Sequence, residues 1–285
     1  MNARIVEFMG MKFAEEDAQY ILNTLLKVQG HESIKKFHDK LRNVNQAHFG
    51  LGFQSGTAEV APFSTPLKML LNDPLFADIK SELIKSLQMI EAVVLDDLAK
   101  NSPDTLKQVI EAREKIQPSD QYPFILPNFY VNLNNAASNL HFDVLDSRDV
   151  PGYVFVFKTK DCVGGDLILP QINARICMKQ GEVSRVLFRS LLHQNDPITS
   201  GFRFSVIVPF HQRYLSFADK DKLNVLHHPS AYFYMKGIPR KELLTSATLL
   251  NSFNIHYVKG NEKSVCERKG ALQFAVIGDK FFKGS

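Results

Sequence analysis

The amino-acid sequence predicts an α+β fold in which a jelly-roll sheet forms the core and a layer of helices packs on it. Before about residue 120 the apolar residues recur mainly at helical spacing, and after it they form short strand-like runs. Glycine, proline, asparagine and aspartate separate many of these runs, which is typical of an antiparallel sandwich or barrel. We expect a helical layer over 1–119, the core over 120–215 and an α/β extension over 216–285, joined in one compact domain.

The N-terminal part is predicted to contain helices separated by a loop over 50–62 that is rich in glycine, serine and threonine. Ser64 followed by Pro66 has the pattern of an N-cap with proline in the first helical turn. The predicted helices are marked, in chain order, by Leu22, Leu25 and Leu26, by Ile34, Phe37 and Leu41, by the segment after Ser64, and by residues 74–98 and 102–117.

Short strands are predicted after residue 120 because β-branched and aromatic residues cluster there between turn residues. They cover residues 124–133, 153–157, 167–169, 175–178, 183–188 and 203–210. A further helix over 240–251 and a last strand over 272–277 complete the prediction.

The composition is ordinary for a soluble globular protein. The chain has 285 residues, of which 45% are hydrophobic and 22% charged, with a formal net charge of +4. Its three cysteines form no C-x-x-C pair, so neither a disulfide framework nor a zinc site is indicated. Since no signal peptide or membrane span is predicted either, we expect a nuclear or cytoplasmic protein.

His141 and Asp143 form an H-x-D pair that can bind one metal ion. Residues i and i+2 of an extended chain point to the same side, so both side chains can face one ion. His193 follows after several predicted strands, and a jelly roll can return such a position beside the first pair. Two imidazoles and one carboxylate form the facial triad of non-heme Fe(II) oxygenases. Each residue alone also fits a structural role, and the ordered set favours the metal site.

Arg203 provides a candidate carboxylate anchor near the start of the apolar run FRFSVIVPF. A guanidinium matches a carboxylate with two hydrogen bonds, and Ser205 points the same way along the strand. This arrangement suits 2-oxoglutarate, whose keto acid end chelates iron and whose distal carboxylate needs a cation. A surface charge is the ordinary alternative for an isolated arginine.

The segments HFDVLD, GGDLILP, FRSLLHQ and GFRFS together resemble the Fe(II)/2-oxoglutarate-dependent dioxygenase superfamily, and within it the TET/JBP-like branch with its compact fungal members. The resemblance covers about residues 128–211. It implies a double-stranded β-helix fold and an enzyme that uses Fe(II), 2-oxoglutarate and O₂. It also implies catalytic metal ligands at His141, Asp143 and His193, with Arg203 and Ser205 as contacts of 2-oxoglutarate.

Asp146 matches the position at which members of this branch carry an Asn or Asp that faces the target base. A carboxylate can accept a hydrogen bond from the exocyclic amine of cytosine, so the resemblance implies substrate binding there. The alternative is a carboxylate that caps a turn in the polar loop with Ser147, Arg148 and Asp149. The sequence leaves both interpretations open.

Polar residues also alternate along the strand before the H-x-D pair, at Tyr130, Asn132 and Asn134. Related dioxygenases place co-substrate contacts on this strand, which implies that Tyr130 and Asn132 bind 2-oxoglutarate as a pair. The alternative is a half-buried strand with polar residues that face outward.

Several other residues have two interpretations. His211 lies at the end of the strand that Arg203 begins, either at the mouth of the site or on the surface. Phe202 and Phe204 are expected to pack in the core. Basic residues that flank the predicted core and could follow a nucleic-acid backbone are Lys158, Lys160, Arg185 and Arg189.

The function favoured by these motifs is oxidation of the methyl group of 5-methylcytosine in DNA, with the base flipped out of the duplex. A small-molecule hydroxylase of the same superfamily is the first alternative, because no separate nucleic-acid-binding module is visible and a net charge of +4 is small. A non-catalytic jelly-roll binding protein is the second. The sequence predicts no particular oligomeric state.

Overall fold

The computed structural model describes residues 3–4, 6–31, 38–39, 44–53, 60–61, 64–116, 122–133, 138–143, 145–216 and 276–277. The helices are α1 (Glu15–Gly30), α2 (Thr65–Asn72), α3 (Ala77–Asn101), α4 (Pro103–Ile116) and α5 (Gln212–Leu215), with 3₁₀ turns at Pro74–Phe76 and Pro170–Ile172. The N-cap prediction is confirmed, since the Ser64 side chain accepts a hydrogen bond from the backbone N–H of Leu67 (3.4 Å). Within these described ranges, no helix is long and apolar enough to cross a membrane.

Antiparallel strands make up the rest of the regular structure. They are β1 (Ala3–Arg4), β2 (Val6–Met11), β3 (His38–Asp39), β4 (Val44–Gly50), β5 (Gly52–Phe53), β6 (Val60–Ala61), β7 (Asn128–Asn132), β8 (Gly152–Lys158), β9 (Val163–Gly164), β10 (Leu167–Leu169), β11 (Ala174–Ile176), β12 (Glu182–Val186), β13 (Gln194–Asn195), β14 (Ile198–Ser200), β15 (Arg203–Val208) and β16 (Val276–Ile277). The main sheet has the order β2-β12-β8-β15-β7-β4-β3, and a smaller sheet has the order β11-β10-β13. The strands β9 and β14, β5 and β6, and β1 and β16 form separate pairs.

The main sheet packs against helices on one face and against the smaller sheet on the other. Along β15, Phe204 and Val206 belong to a buried cluster that also includes residues of α1 and α3. Along β8, Val154 packs in a second cluster with Leu167 and Leu169 of the smaller sheet. Because successive side chains in a strand point to opposite faces, the two clusters lie on opposite sides of the main sheet. The predicted combination of helices and antiparallel sheet is confirmed.

The N-terminal part differs from the prediction because it contributes strands to the main sheet. The strands β2 and β4 were not predicted, since their apolar alternation is short. In β4 only Ala47 and Phe49 are buried on the helix side, and the opposite face carries Gln46 and His48. The helix predicted around residues 34–41 is wrong at residues 38–39, which form β3, and its other residues lie outside the described part of the chain.

The strands predicted after residue 120 are found with small shifts at their ends, and the prediction for 167–169 matches β10. The helix predicted over 240–251 lies outside the described residues, as do most of residues 272–277, of which Val276–Ile277 pairs with β1. The division of the chain at residues 119 and 215 stays a prediction.

Candidate active site

His141, Asp143 and His193 come together at one end of the space between the two sheets. Their potential ligand atoms all lie within 4.8 Å of one another. The backbones of His141 and His193 form an isolated antiparallel bridge, with a hydrogen bond of 3.0 Å in each direction. The backbone N–H of Asp143 donates to the carbonyl oxygen of Phe188 (3.1 Å). Three backbone attachments therefore hold a set of side chains that can bind one ion.

The hydrogen bonds of the two imidazoles leave the same ring nitrogen of each for a metal. Nδ1 of His141 lies 2.5 Å from the carbonyl oxygen of Asn139, and Nδ1 of His193 lies 2.9 Å from that of Leu191. A carbonyl oxygen can only accept, so each Nδ1 carries the proton and each Nε2 has a lone pair. The two Nε2 atoms lie 3.6 and 3.7 Å from the carboxylate oxygens of Asp143. Such bonds from histidine to carbonyl oxygens are the usual way to orient metal-binding imidazoles. The donor set fits Fe(II).

The three residues open into a cavity between the sheets. Apolar side chains, including Phe188 beside the ring of His193 (4.6 Å between centroids), form part of its wall. The lining residues are Gln46, Asn132, Ser138, His141, Asp143, Val154, Leu167, Phe188, His193, Asn195, Arg203, Ser205 and Ile207. The polar lining residues thus form two groups, one around His141, Asp143 and His193 and one on the main sheet around Arg203 and Ser205. The apolar residues complete the wall of the cavity.

Arg203 and Ser205 lie on the face of β15 that lines this cavity, as predicted. Both are buried, at 7% and 3% exposure. Burial lowers the pKa of the Arg203 guanidinium to about 10, and Cys162 and Asp166 partly oppose this shift. The side chain therefore stays charged at neutral pH. A buried cation in a cavity with the candidate metal ligands can bind the carboxylate of a small acid.

The register of the main sheet separates Asn132 from Tyr130, which were predicted to act as a pair. Side chains in register across β15, β7 and β4 form one row of Ser205, Asn132 and Gln46 and the next row of Ile207, Tyr130 and His48. Asn132 lines the cavity, and Tyr130 does not. Tyr130 instead stacks on His48 (4.2 Å between centroids) and lies 5.9 Å from the ring of His211. A role of Tyr130 in co-substrate binding stays a prediction, and Asn134 lies outside the described residues.

Asp146 and His211 form a buried pair beside the candidate metal ligands. They are 4% and 7% exposed, and Nε2 of His211 lies 3.5 Å from Oδ1 of Asp146. Their backbones form a second isolated antiparallel bridge, and the backbone N–H of Asp146 donates to the carbonyl oxygen of Asp143 (3.0 Å). His211 is therefore not a surface residue at the end of a strand. In the loop that follows, the hydroxyl of Ser147 accepts from the backbone N–H groups of Asp149 and Val150 at 3.2 Å.

Three polar lining residues were missed by the sequence reasoning. Gln46 donates through Nε2 to Oδ1 of Asn132 (2.7 Å), and the hydroxyl of Ser138 accepts from the backbone N–H of Asn195 (3.0 Å). Gln46 could have been found only if β4 had been predicted, because its place on the cavity face follows from alternation along that strand. Ser138 and Asn195 lie in segments without a strong periodic signal.

Two other predictions about single residues are wrong. Arg185 does not face a nucleic-acid surface, because it lies on the helix side of the main sheet. Its guanidinium is 3.4 Å from both Asp97 and Glu7 and covers the ring of Tyr153. Phe202 is 40% exposed and lies outside the core, whereas Phe204 is fully buried as expected.

No family model matches the chain, and no curated protein matches it. Among solved structures, NgTET1 in complex with 5mC DNA superposes with a TM-score of 0.56 at 15% identity, over 74% of each chain. The chain has the fold of NgTET1. The predicted resemblance to the TET/JBP-like branch is confirmed at the level of the fold. Two further structures superpose with lower scores. The viral collagen prolyl hydroxylase vCPH from Paramecium Bursaria Chlorella virus-1, in its 2OG complex, has a TM-score of 0.38 at 12% identity, over 71% of this chain and 94% of that chain. A prolyl hydroxylase in complex with a hypoxia inducible factor peptide from Trichoplax adhaerens has a TM-score of 0.43 at 10% identity, over 75% of this chain and 87% of that chain.

Proposed function

We propose that this protein is an Fe(II)- and 2-oxoglutarate-dependent dioxygenase with a double-stranded β-helix core, and that it oxidises the methyl group of 5-methylcytosine in DNA. The observation that carries the proposal is the single cavity that combines His141, Asp143 and His193 with the buried cation of Arg203. A metal-binding triad and a separate carboxylate anchor are the two requirements of this co-substrate. The fold shared with NgTET1 supports the same assignment.

Different residues around the cavity would bind the iron and the 2-oxoglutarate. Fe(II) would be held by His141, Asp143 and His193, and with 2-oxoglutarate and O₂ it would supply the oxidant for a C–H bond while the co-substrate becomes succinate and CO₂. Arg203 would bind the distal carboxylate of 2-oxoglutarate with two hydrogen bonds, and the hydroxyl of Ser205 would donate a third. Apolar lining residues such as Val154, Leu167 and Phe188 would keep water away from the reacting atoms.

Asn132 is the further candidate for a contact with the co-substrate. Its amide oxygen accepts from Gln46, which leaves the amide nitrogen to donate into the cavity. A donor in this place suits the carboxylate end of 2-oxoglutarate. Because the amide oxygen of Asn132 is bonded to Gln46, the amide nitrogen is the group that faces a ligand. A ligand at this point should therefore offer a hydrogen-bond acceptor.

Asp146 and His211 supply the preference for cytosine in this proposal. An ionised carboxylate only accepts hydrogen bonds, so Asp146 suits the amine at C4 of cytosine and disfavours the carbonyl that thymine carries there. His211, 3.5 Å from that carboxylate, can donate to N3 or O2 of the same base edge. Since Asp146 follows the metal ligand Asp143 by three residues, a base held there would have its methyl group near the ion. The base must leave the duplex to reach it.

Product analysis by mass spectrometry tests the proposal. Methylated DNA, Fe(II), 2-oxoglutarate and O₂ are incubated with the protein, and we expect 5-hydroxymethylcytosine together with succinate. The Arg203→Ala variant is the matched control, and we expect it to need far more 2-oxoglutarate. Succinate formation with no oxidised cytosine would overturn the DNA substrate and favour a small-molecule hydroxylase. Absence of any 2-oxoglutarate-dependent spectral change on anaerobic Fe(II) addition would overturn the dioxygenase assignment.

A further inference from the structure

Leu145 is an exposed apolar side chain directly before Asp146, the residue proposed to read the target base. It is 67% exposed, more than any other large hydrophobic residue in the described part of the chain. It lies directly before Asp146, in the turn that begins at the metal ligand Asp143. A single exposed leucine is ordinary on a protein surface. Its place between two residues of the site is what raises the question of its role.

The backbone around Leu145 is firmly attached, so the side chain does not project from a loose loop. The carbonyl oxygen of Leu145 accepts a hydrogen bond from the backbone N–H of Gln212 (3.0 Å) at the start of α5. On the two following residues, Asp146 bridges to His211, and the N–H of Ser147 donates to the carbonyl oxygen of Phe210 (2.7 Å). The turn therefore holds an apolar group at a fixed distance from the metal ligands.

Basic side chains surround this turn. Arg189 donates through Nη1 to the carbonyl oxygen of Asp146 (2.8 Å), and burial together with the nearby charge of Arg148 lowers the pKa of Arg189. Arg148 itself is exposed, and Arg213 follows Gln212 in α5. Asp149 is the exposed acid of the same loop. Asp143 and Asp146 are turned toward the proposed iron and base, so the exposed charge nearest the apolar tip is that of Arg148 and Asp149. The guanidinium of Arg148 can contact a phosphate of a nucleic acid beside the tip.

We propose that Leu145 acts as a wedge that enters duplex DNA and occupies the space left by the flipped base. This inference rests on the proposed function. An apolar side chain inserted between base steps compensates for the stacking lost there, and arginines beside it hold the strands. The adjacent residue Asp146 would receive the extruded base, so one turn would both open the duplex and read the base that leaves it.

Loss of the wedge should slow oxidation in duplex DNA but not in single-stranded DNA. A single strand has its bases already accessible, so it needs no wedge. We expect Leu145→Ala to lower the rate of 5-methylcytosine oxidation in duplex DNA by about tenfold or more, and to leave the rate on a single strand unchanged. Ile110→Ala, which removes an exposed side chain (41%) from α4, is the matched control and should change neither rate.

Fluorescence provides a second readout that does not depend on turnover. With 2-aminopurine placed next to the methylated cytosine, binding of the wild-type protein should raise the fluorescence as the neighbouring base unstacks, and Leu145→Ala should not. Equal duplex rates for wild type and Leu145→Ala, or an equal loss on duplex and single strand, would overturn the wedge. Failure of the wild-type protein to oxidise either substrate would instead overturn the proposed function, and the fluorescence change would still decide between a wedge and none.

Discussion

The side chain of Arg203 passes directly over the backbone of Gly165. A Cβ atom added to Gly165 would lie 2.4 Å from Cδ and 3.0 Å from Nε of Arg203, and the φ angle of this glycine is +78°. Glycine suits this position for two reasons. Other residues rarely adopt its backbone conformation, and the side chain of Arg203 occupies the space that a Cβ atom would need. Gly165, directly after β9, is in this way part of the wall that positions Arg203.

Replacing Gly165 with alanine should weaken 2-oxoglutarate binding more than metal binding. The added methyl group must displace the arginine side chain, so we expect the KM for 2-oxoglutarate to rise by about tenfold or more, as for the loss of a charge-assisted hydrogen bond. Steady-state kinetics at saturating Fe(II) measures this. Gly30→Ala is the control, because nothing lies within 4 Å of a Cβ there. An unchanged KM in Gly165→Ala would mean that Arg203 does not anchor the co-substrate.

His193→Ala should abolish Fe(II) binding and with it all succinate formation, because only two of the three ligands remain. Fe(II) binding can be measured by anaerobic titration in the presence of 2-oxoglutarate, followed by the absorbance of the ternary complex. His211→Ala is a useful comparison, since this histidine is equally buried and close by but is not among the three grouped ligands. We expect that variant to bind Fe(II) normally. Retained turnover in His193→Ala would show that the metal ligands are misassigned.

The grouping of His141, Asp143 and His193 could be predicted because it depends on local spacing and on the order of motifs along the chain. The i, i+2 rule placed His141 and Asp143 on one side, and the strands before His193 allowed the chain to return. The same rule placed Tyr130 and Asn132 on one face of β7, but it could not tell how far along that face the cavity extends. The pairing of Asn132 with Ser205 decides this, and register between distant strands is not visible in the spacing.

The missed contribution of the N-terminal part has a similar cause. In β4 the polar residues Gln46 and His48 do alternate with Ala47 and Phe49, but this alternation is short and follows a segment whose apolar residues have helical spacing. Arg185 was misplaced for a related reason, since the face of β12 on which it lies depends on the helix α3 that provides Asp97. Both errors concern contacts between residues far apart in the sequence.

Asp146→Asn should relax the preference for cytosine without disturbing the iron chemistry. An amide can donate as well as accept, so the position would no longer exclude the C4 carbonyl of thymine. Because the amide oxygen of Asn can still accept from the C4 amine, we expect 5-methylcytosine oxidation to continue and oxidation of the thymine methyl group to rise by about tenfold relative to it. Competition between the two bases in one oligonucleotide, read by mass spectrometry, measures the ratio. Binding of Fe(II) and 2-oxoglutarate should be unchanged, and an unaltered base ratio would contradict the assigned role of Asp146.

His48 makes the stability of the sheet depend on pH. Burial lowers its pKa to about 4, and the hydrogen bond with Asn128 (2.7 Å) opposes this only in part. Between pH 6.5 and 4 the unfolded chain binds a proton at this histidine and the folded chain does not. The folded state therefore loses stability as the pH falls through this window, by up to about 3 kcal/mol from this group.

Urea unfolding at a series of pH values measures this loss, and His48→Gln isolates it. Glutamine keeps a polar partner for Asn128 but does not titrate, so the other groups contribute equally to both proteins. We expect the free energy of unfolding of the wild type to fall relative to that of His48→Gln from pH 6.5 down to about pH 4, and the difference to stay constant below it. Parallel pH profiles for the two proteins would mean that His48 titrates alike in the folded and unfolded chain, and that its stack on Tyr130 tolerates the charge.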